Sequence, residues 1–529
     1  MLADGCRYVR SALRTAAALR RFVREPPLAT PPEDRIRDWL SRRETRFLSV
    51  VKQTIFDCPH SPYLRLLHHA GCTYEDVCEL VRKEGLEGAL EGLYDAGVYV
   101  THDEMKGRVP VRRGSQTFHF AASDFDNPLL VAHMGSQTSG STGRGTSVRV
   151  DFAHFADRAW QYAFWLDALG LRRAEHAIWF PATFSAVSRL MRLTRIRRPP
   201  RRWFSQVALN PLKPPRMTRA QVFGLVLLAR LFGAHFPMPR HVSVAHPGPV
   251  IEWALRRLER GHRVCIDTYV SSAARACQWA HERGVTLKGA TFLVIGESVT
   301  PACRAAIEAA GACCFPLYGI VEHGTIAAGC LAPAASDDMH VLADTSAVIV
   351  RQRPLAHDQQ AGVLFVTTLS TATPKASLNA DTGDCGVLER RRCGCAMERA
   401  GYDLHVRNVW SHSKLTAEGL TFDGAAVLRI LDEVLPAQFG GRPGDYQLRA
   451  EPTDAGVTRY VLSVDPSVGA TDLQAVRVAF LDALGGRKGT GRLAAEFLRE
   501  AGQLAVVRRR ATVLPGGKAL PVALAPRRP

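Results

Sequence analysis

The fold of this chain is decided by the stretch RVCIDTYVSSAARACQWAHERGVTLKGATFLVIGESVTPACRAAIEAAGACCFPLYG, residues 263–319. Its apolar runs alternate with helical patterns. Val264–Val270 and Ala290–Ile295 predict two strands, and the segment between them predicts a helix over Ala273–Arg283 that ends at Gly284. A strand, a helix and a second strand at this spacing are typical of a parallel sheet.

The second half of the stretch repeats the pattern. Thr300 is placed to cap a helix that starts with Pro301, reaches Ala310 and stops at Gly311, and a third strand then extends to Tyr318. The stretch therefore predicts a βαβαβ unit and an α/β fold. Ligands of such sheets bind beyond the carboxyl ends of the strands, where the loops after the second and third strands lie.

Length and composition restrict the class of protein. A chain of 529 residues exceeds what one core supports, and 46% apolar with 22% charged residues is typical of a globular protein rather than a disordered one. The net charge of +18 favours polyanionic ligands such as nucleotides, coenzyme A, acidic carrier proteins or nucleic acid. The longest apolar run, Val222–Phe236, contains Arg230 and is short for a membrane span, so it predicts a buried helix and no membrane partner.

Cysteine usage predicts the compartment. The chain has 13 cysteines, an odd number, and no secretory signal, which argues against a disulfide framework and favours the reducing cytoplasm. Free thiols or a metal site remain as alternatives.

The elements become shorter beyond about Leu404. A helix over Ala425–Val434, strands near Tyr446–Ala450 and Arg459–Val464, and a helix capped by Thr471 predict a small α+β domain. We divide the chain into an N-terminal domain of residues 1–405, with a helical lead-in over 1–60, and a C-terminal domain of residues 406–529.

A cluster of hydroxyls and glycines forms a candidate phosphate loop, made of Thr138, Ser139, Gly140, Ser141, Thr142, Gly143, Arg144, Gly145 and Thr146. Glycines let successive amides face an anion, and hydroxyls add donors and can reach phosphate-bound magnesium. Arg144 or Arg149 would balance the phosphate charge. The loop is neither a Walker loop nor a dinucleotide fingerprint, and an ordinary flexible loop is the alternative.

Three later motifs follow this loop in a meaningful order: Tyr318-Gly319-Ile320-Val321-Glu322, Thr382-Gly383-Asp384 and Pro515-Gly516-Gly517-Lys518. Together the four motifs resemble those of the adenylate-forming superfamily, which includes acyl-CoA synthetases, luciferases and adenylation domains. The resemblance implies ATP and Mg²⁺ as cofactors, with Tyr318 and Gly319 beside the adenine, Glu322 on magnesium, Asp384 on the ribose hydroxyls, Thr142 on the phosphates and Lys518 as the catalytic cation. It also implies a large N-terminal domain with βαβ sheets and a small, mobile C-terminal lid that carries Lys518.

Further residues resemble the phenylacetate–coenzyme A ligase branch, and the acyl-protein synthetases of bacterial luminescence are similar. They are Ser61-Pro62-Tyr63, Leu66-Leu67, Gly296-Glu297 and Cys393-Gly394-Cys395. This likeness places Gly296 and Glu297 in the nucleotide site and Arg407 at the hinge. The chain departs from the pattern at Gly145, where a proline is usual, at Pro316-Leu317 before the tyrosine, and after Arg407, which Asn408 follows.

Four residues are candidates for structural zinc. Cys393 and Cys395 supply two thiolates close in sequence, while Cys330 and His340 follow the Tyr-Gly-x-x-Glu motif. Two or more thiolates with an imidazole satisfy tetrahedral zinc, and four protein ligands make a site structural rather than catalytic. His323 is a rival for His340, and unpaired buried cysteines are the alternative to a metal.

The resemblance implies a ligase that activates a carboxylic acid, aryl or medium-chain, as an acyl-AMP and passes the acyl group to a thiol. Coenzyme A is the first candidate acceptor, an acyl or peptidyl carrier protein the second, and an amine or a protein cysteine the third. A basic nucleic-acid-binding protein is the alternative from another class, but the sequence contains no recognised nucleic-acid module. A nucleotide-binding pseudoenzyme is a further alternative, favoured by the altered hinge.

Overall fold

A computed structural model describes residues 14–28, 30–131, 134–137, 147–182, 184–206, 219–244, 246–355, 359–411, 416–417, 420–421, 424–452, 458–486, 495, 498–499, 504–511 and 522–524. In these ranges no helix is both long and apolar enough to cross a membrane.

The helices, in chain order, are α1 (14–24), α2 (Pro32–Ser41), α3 (Arg43–Val51), α4 (Pro62–His69), α5 (Tyr74–Asp95), α6 (His102–Met105), α7 (Phe152–Ala168), α8 (Phe184–Arg195), α9 (Arg219–Leu231), α10 (Gly248–Leu258), α11 (Val270–His281), α12 (Pro301–Ala309), α13 (Ala396–Arg399), α14 (Gly424–Arg429), α15 (Leu435–Phe439) and α16 (Leu473–Gly485).

The strands are β1 (Val111–Arg113), β2 (Gln116–Phe118), β3 (Met134–Gln137), β4 (Ser147–Val150), β5 (Glu175–Trp179), β6 (Arg202–Ser205), β7 (Pro239–His241), β8 (Val264–Tyr269), β9 (Ala290–Ile295), β10 (Cys313–Ile320), β11 (Gly324–Gly329), β12 (Met339–Val341), β13 (Ser346–Leu355), β14 (Gln359–Thr368), β15 (Ala380–Arg390), β16 (Leu404–Ser411), β17 (Thr416–Ala417), β18 (Leu420–Thr421), β19 (Tyr446–Pro452), β20 (Thr458–Val464), β21 (Leu504–Arg508) and β22 (Val522–Leu524).

A mixed sheet organises the large domain. Among the described residues it has 12 strands in the order β13-β14-β15-β16-β12-β11-β10-β9-β8-β5-β6-β7. At one end of this order, β7, β6, β5, β8, β9 and β10 pair in parallel. From β10 onward, β11, β12, β16, β15, β14 and β13 pair antiparallel. The predicted βαβαβ unit is confirmed as β8-α11-β9-α12-β10, and the Thr300 hydroxyl accepts a hydrogen bond from the Cys303 amide at 3.2 Å.

Helices cover both faces of the parallel half. α7, α8 and α9 pack on one face, and α10, α11 and α12 pack on the other, because largely apolar strands such as β9 must be buried on both sides. A third core joins α3, α4 and α5 to the antiparallel half. The parallel strands β8, β9 and β10 therefore end at one edge, with Ser271, Glu297 and Glu322 just beyond it.

The predicted buried helix over Val222–Phe236 is partly wrong. The helix α9 ends at Leu231, where the chain turns, and Arg230 Nε donates to the carbonyl of Phe236 at 3.0 Å. Phe223 and Leu227 are 54% and 67% exposed, so only one face of this helix is buried.

The C-terminal unit has its own sheet and core. Strands in the order β21-β20-β19-β22 pack against α14, α15 and α16, and the predicted strands near Tyr446 and Arg459 are confirmed as β19 and β20. Asp472 rather than Thr471 caps α16, since its carboxylate accepts from the Gln474 amide at 2.8 Å. The predicted boundary after residue 405 falls inside β16, which pairs with β12 and β15, so a division that leaves the large sheet intact lies after residue 411.

A buried carboxylate joins the C-terminal unit to the large domain. Asp432 accepts from the Thr300 hydroxyl and from the Gly444 amide, both at 3.3 Å, and burial raises the pKa of its side chain to about 7.

We expect this carboxylate to make stability depend on pH. Because the pKa is higher in the folded chain, its contribution is full below the ordinary value near 3.8 and is lost as pH rises through about 7. The free energy of unfolding should fall between about pH 4 and pH 7, by on the order of 4 kcal/mol at most. Asp432→Asn should flatten this dependence in denaturant titrations, whereas Asp482→Asn, at a side chain that is 65% exposed, should not. An unchanged slope in Asp432→Asn would contradict this assignment.

Candidate functional site

The turn between β10 and β11 carries the predicted Tyr-Gly-x-x-Glu motif. The two strands pair antiparallel, with Gly319 opposite Thr325 and an irregularity between Tyr318 and Gly319. A Cβ atom on Gly319 would lie 2.4 Å from the carbonyl oxygen of Gly324, so no other residue fits this close approach. The irregularity interrupts the regular alternation of the strand directly after Tyr318.

Tyr318 contacts the predicted ribose-binding carboxylate. Its hydroxyl donates to Asp384 Oδ2 at 3.0 Å, which joins two motifs that lie 66 residues apart. Two local hydrogen bonds stabilise the Thr-Gly-Asp segment: the Gly383 amide donates to Asp381 Oδ1 at 2.7 Å, and the Asp384 amide donates to Thr382 Oγ1 at 3.2 Å. The structure thus brings Tyr318 and Asp384 together at one wall.

Helix α6 packs on the same turn. Gly383 has a φ of +79°, and a Cβ atom there would lie 2.7 Å from Nδ1 of His102, so glycine is required both by conformation and by space. Burial and then Lys106 lower the pKa of His102, which is therefore neutral at pH 7.

Glu322 is ion-paired with Lys106, a residue that the sequence did not single out. Lys106 Nζ contacts Glu322 Oε1, and the two side chains are 5% and 6% exposed. Burial acts to raise the pKa of Glu322, but the ammonium of Lys106 outweighs it and the pKa is lowered. The carboxylate is ionised at neutral pH and can hold a cation. In the sequence, nothing about this lysine, which follows directly after α6, indicates that it is buried.

Gly296, Glu297 and Arg407 were also predicted for the nucleotide site or the hinge, and Glu297 and Arg407 contact residues other than Tyr318 and Asp384. Glu297 caps α11, since its carboxylate accepts from the Ser271 amide at 2.7 Å and from the Ser271 hydroxyl at 3.0 Å, and Gly296 supplies a turn with a φ of +88°. Arg407 pairs with Glu389 at 3.0 Å on the neighbouring strand. Glu297 lies at the edge of the parallel strands, while Arg407 stands beside Val387 rather than beside Asp384.

The four candidate zinc ligands converge. One ligand atom each from Cys330, His340, Cys393 and Cys395 lies within 4.8 Å of the others. His340 Nε2 is 3.2 Å from Cys395 Sγ and 3.7 Å from Cys393 Sγ. These separations bracket the edge of about 3.6 Å that a zinc tetrahedron with Zn–S near 2.3 Å and Zn–N near 2.05 Å requires.

The tautomer of His340 suits a metal ligand. Its Nδ1 donates to the carbonyl of Tyr402 at 2.7 Å, which leaves the Nε2 lone pair directed at the two sulfurs. The rival His323 lies elsewhere, with Nε2 2.7 Å from the Ser346 hydroxyl.

An outer layer that the sequence did not indicate surrounds this cluster. Asp338 Oδ1 is 2.7 Å from His405 Nδ1, and Arg391 contacts both Asp338 and, at 3.6 Å, the sulfur of Cys330. The rings of His405 and His340 have centroids 4.0 Å apart. The hydrogen bond with Cys395 and burial raise the pKa of the Cys330 thiol, while the hydrogen bonds from Cys330 and His340 lower the pKa of Cys395 to about 2, so Cys395 is the thiolate of the cluster.

Two predicted parts of the site lie outside the described residues. They are the phosphate loop, Thr138 to Thr146 with Thr142 among them, and Lys518. The described part therefore comprises the Tyr318–Asp384 wall, the ionised Glu322 with Lys106, and the cysteine–histidine cluster. A carboxylate that can accept from two hydroxyls beside a tyrosine, next to a carboxylate that can hold a cation, is suited to a nucleoside phosphate.

Comparison with known proteins identifies the fold. Two structures of 2-hydroxyisobutyryl-CoA ligase in the postadenylation state, in complex with 2-HIB-AMP and with R3-HIB-AMP, are similar to this chain, each with a TM-score of 0.55. The identities are 15% and 14%, and the alignments cover 94% of this chain and 94% and 93% of those chains. The o-succinylbenzoate coenzyme A synthetase of Bacillus subtilis in complex with AMP has a TM-score of 0.43 at 15% identity, over 74% of this chain and 68% of that chain. No protein-family model and no curated protein sequence matches this chain.

Proposed function

From the fold that it shares with the adenylate-forming enzymes, we propose that this chain is an ATP-dependent ligase that activates a carboxylic acid as an acyl-AMP. The acyl group then passes to a thiol, with coenzyme A as the first candidate. One observation carries the proposal: Tyr318 bonds to Asp384 at 3.0 Å, and Glu322 follows in the same turn. This arrangement supports an adenosine-binding wall at Tyr318 and Asp384 with a carboxylate for a cation at Glu322.

Each residue has a role in this proposal. Asp384 accepts from the two ribose hydroxyls, Tyr318 and Gly319 flank the adenine, and Glu322 faces the phosphates. Gly296 and Glu297 shape the loop after β9, and Arg407 lies at the start of the hinge. Thr138 to Gly143 bind the phosphates through amides and hydroxyls, and Lys518 approaches from the C-terminal domain, which we place after residue 411.

Magnesium fits the carboxylate of Glu322. Nucleotide-bound Mg²⁺ is usually held by one or two carboxylates together with phosphate oxygens and water, and Glu322 is ionised. When bound, the ion neutralises phosphate charge. The first step is in-line attack of the substrate carboxylate on the α-phosphate with release of pyrophosphate. No general base is needed, because a carboxylate is already ionised at neutral pH.

Acid-dependent exchange of pyrophosphate into ATP tests the proposal. A panel of aryl, alkyl and dicarboxylic acids should contain at least one acid that supports exchange, and that acid defines the substrate class. Asp384→Asn should lose exchange at least ~100-fold, because the ribose hydroxyls lose a charged acceptor. Asp403→Asn is the matched control, since this carboxylate pairs with Arg390 on the surface. Nucleotide binding without exchange for any acid would favour the pseudoenzyme, and salt-sensitive DNA binding without nucleotide binding would favour the nucleic-acid alternative.

Lys518→Ala should separate the two half-reactions. Adenylation should fall by at least ~100-fold, because the cation that stabilises charge on the reacting phosphate is lost. Thioester formation from a chemically supplied acyl-AMP should be largely retained, measured as acyl-CoA by mass spectrometry. Equal loss of both half-reactions would contradict this role.

A competition experiment between candidate acceptors identifies the group that receives the acyl chain. With the substrate acid known, coenzyme A, a phosphopantetheinylated carrier protein and a simple amine are offered to the preformed acyl-AMP, and the fastest transfer identifies the acceptor. The net charge of +18 supports either of the polyanionic acceptors.

We also propose that Cys330, His340, Cys393 and Cys395 bind one structural zinc ion. The distances and the tautomer of His340 support four-coordinate zinc with no open position. The loop between Cys330 and His340 also bonds to the rest of the site: the Ser336 hydroxyl donates to Val299 at 2.7 Å, and Asp337 accepts from the Val409 amide at 2.9 Å. Zinc would therefore stabilise the loop that supports both the segment after Glu297 and the strand β16.

A further inference from the structure

Three arginines lie buried between α7, α8 and the sheet. Arg158, Arg189 and Arg192 are 1%, 3% and 5% exposed. Arg189 Nε is 2.8 Å from Asp267 Oδ1, and in the described part of the chain it is the only one of the three with an ion-pair partner. This side of the sheet therefore holds more buried cations than paired carboxylates.

The positive charge of Arg192 has few partners. Its Nη1 donates to Thr325 Oγ1 at 2.9 Å, while its Nε, like that of Arg158, has no hydrogen-bond partner among the described residues; the described carboxylate acting on it is Asp267, which pairs with Arg189. Burial and then Arg189 lower the pKa of Arg192 to about 9, so the side chain remains charged at neutral pH. A buried guanidinium is unfavourable unless an anion is supplied, and a carboxylate is the anion that its planar fork fits best.

Arg192 lies next to the proposed adenylation site. Thr325, its partner, pairs with Gly319 across the hairpin whose turn carries Glu322. Gly324 pairs with Ile320 directly next to the turn, and Thr325 pairs with Gly319 one residue further along the hairpin. Arg192, which bonds to Thr325, therefore lies beside the strands of the hairpin and not at its turn.

One face of α8 leads from the edge of the sheet to Arg192. Ser185, Arg189 and Arg192 share this face at helical spacing, and Ser185 is half-buried at the start of the helix. Ser185 bonds with Tyr269, at the carboxyl end of β8. Arg189 is fixed through Asp267, whose carboxylate accepts from the Tyr162 hydroxyl, which lies 2.9 Å from both of its oxygens.

We propose that the acid activated by this chain is a dicarboxylic acid and that Arg192 binds its second carboxylate. This rests on the proposed function and names its substrate class. The reacting carboxylate lies at the turn with the nucleotide, the chain of the acid runs along α8, and the second carboxylate reaches the guanidinium. Arg189 is already paired with Asp267, so it adds positive potential near the second carboxylate but does not bind it.

Matched pairs of acids test this inference in the pyrophosphate exchange assay. The pairs are butanoate with succinate, hexanoate with adipate, and phenylacetate with 4-carboxyphenylacetate. Wild type should prefer the diacid of at least one pair by ~100-fold in kcat/KM, as expected for a desolvated charge pair. Arg192→Leu should remove this preference, mainly through KM, and leave or improve the monoacid rate. Arg192→Lys should keep part of the preference.

The control is Arg195→Leu on the same helix, since Arg195 is already paired with Glu25 and its loss should not change the preference. A wild type that uses monoacids as well as diacids overturns the inference and leaves the proposed function intact, whether or not the variants fold. Equal loss of both acids in a folded Arg192→Leu also overturns it, because the residue then serves the fold or the reacting carboxylate. Exchange with no acid at all contradicts the proposed function, and the inference fails with it.

Discussion

Glu322→Gln is expected to abolish acid-dependent pyrophosphate exchange and to destabilise the fold. Glu322 and Lys106 are both almost fully buried, so replacing the carboxylate by an amide leaves an ammonium without its counter-charge. Removing one partner of a buried pair costs about 3–5 kcal/mol of stability. Exchange should also fall by at least ~100-fold, because the only described carboxylate suited to magnesium at the turn is lost.

The two effects can be separated. The double variant Lys106→Met with Glu322→Gln removes both charges and should recover most of the stability, measured by denaturant titration, without recovering exchange. Glu104→Gln is the matched control: Glu104 pairs with Arg113 at 3.0 Å, and both side chains are 8% exposed. It should destabilise the chain comparably and leave exchange within a few-fold. Recovery of exchange in the double variant would show that Glu322 serves only the fold.

The second large effect is expected on removal of zinc. Purified protein should contain one zinc ion per chain by plasma mass spectrometry, and Cys395→Ser should abolish binding because it removes a thiolate 3.2 Å from His340 Nε2. Structural zinc contributes roughly 10 kcal/mol in small zinc-binding peptides, so the melting temperature should fall by more than a core substitution explains.

Cys385→Ser provides the comparison. Cys385 is 1% exposed and lies in β15 outside the cluster, so its loss tests the cost of placing a hydroxyl in the core without affecting the metal. A strong chelator should lower the melting temperature of wild type and of Cys385→Ser but not of Cys395→Ser. Protein that contains no zinc and does not respond to the chelator would contradict the proposal.

The sequence predicted the parallel unit because its signals are local. Thr300, Pro301 and Gly311 mark the ends of α12 by their own backbone requirements, and β9 was predicted with its observed bounds. The antiparallel half could not be predicted in the same way, because pairing of β12 with β16 depends on contacts between segments far apart in the chain.

The candidate site shows the same division. Tyr318 and Asp384 were singled out because their motifs resemble those of a known superfamily, and the cysteines because thiolates are zinc ligands; the structure brings each set together. Lys106 was missed because its partner lies 216 residues away, and a lysine in an unremarkable segment carries no sign of burial. The arginines of α8 were missed for the same reason, since an arginine-rich helix is usually solvated.

The position of β16 has a consequence for synthesis on the ribosome. This strand is made after the other described strands of the large sheet, yet it lies between β12 and β15 inside that sheet. The helices α3 and α5, made early, pack on strands of the same late half. The nascent large domain therefore exposes apolar surface until residue 411 has emerged, and a chain cut at residue 405 would keep that surface exposed. We expect the bound form of a holdase chaperone to accumulate with such a truncated chain and not with one that ends after β16.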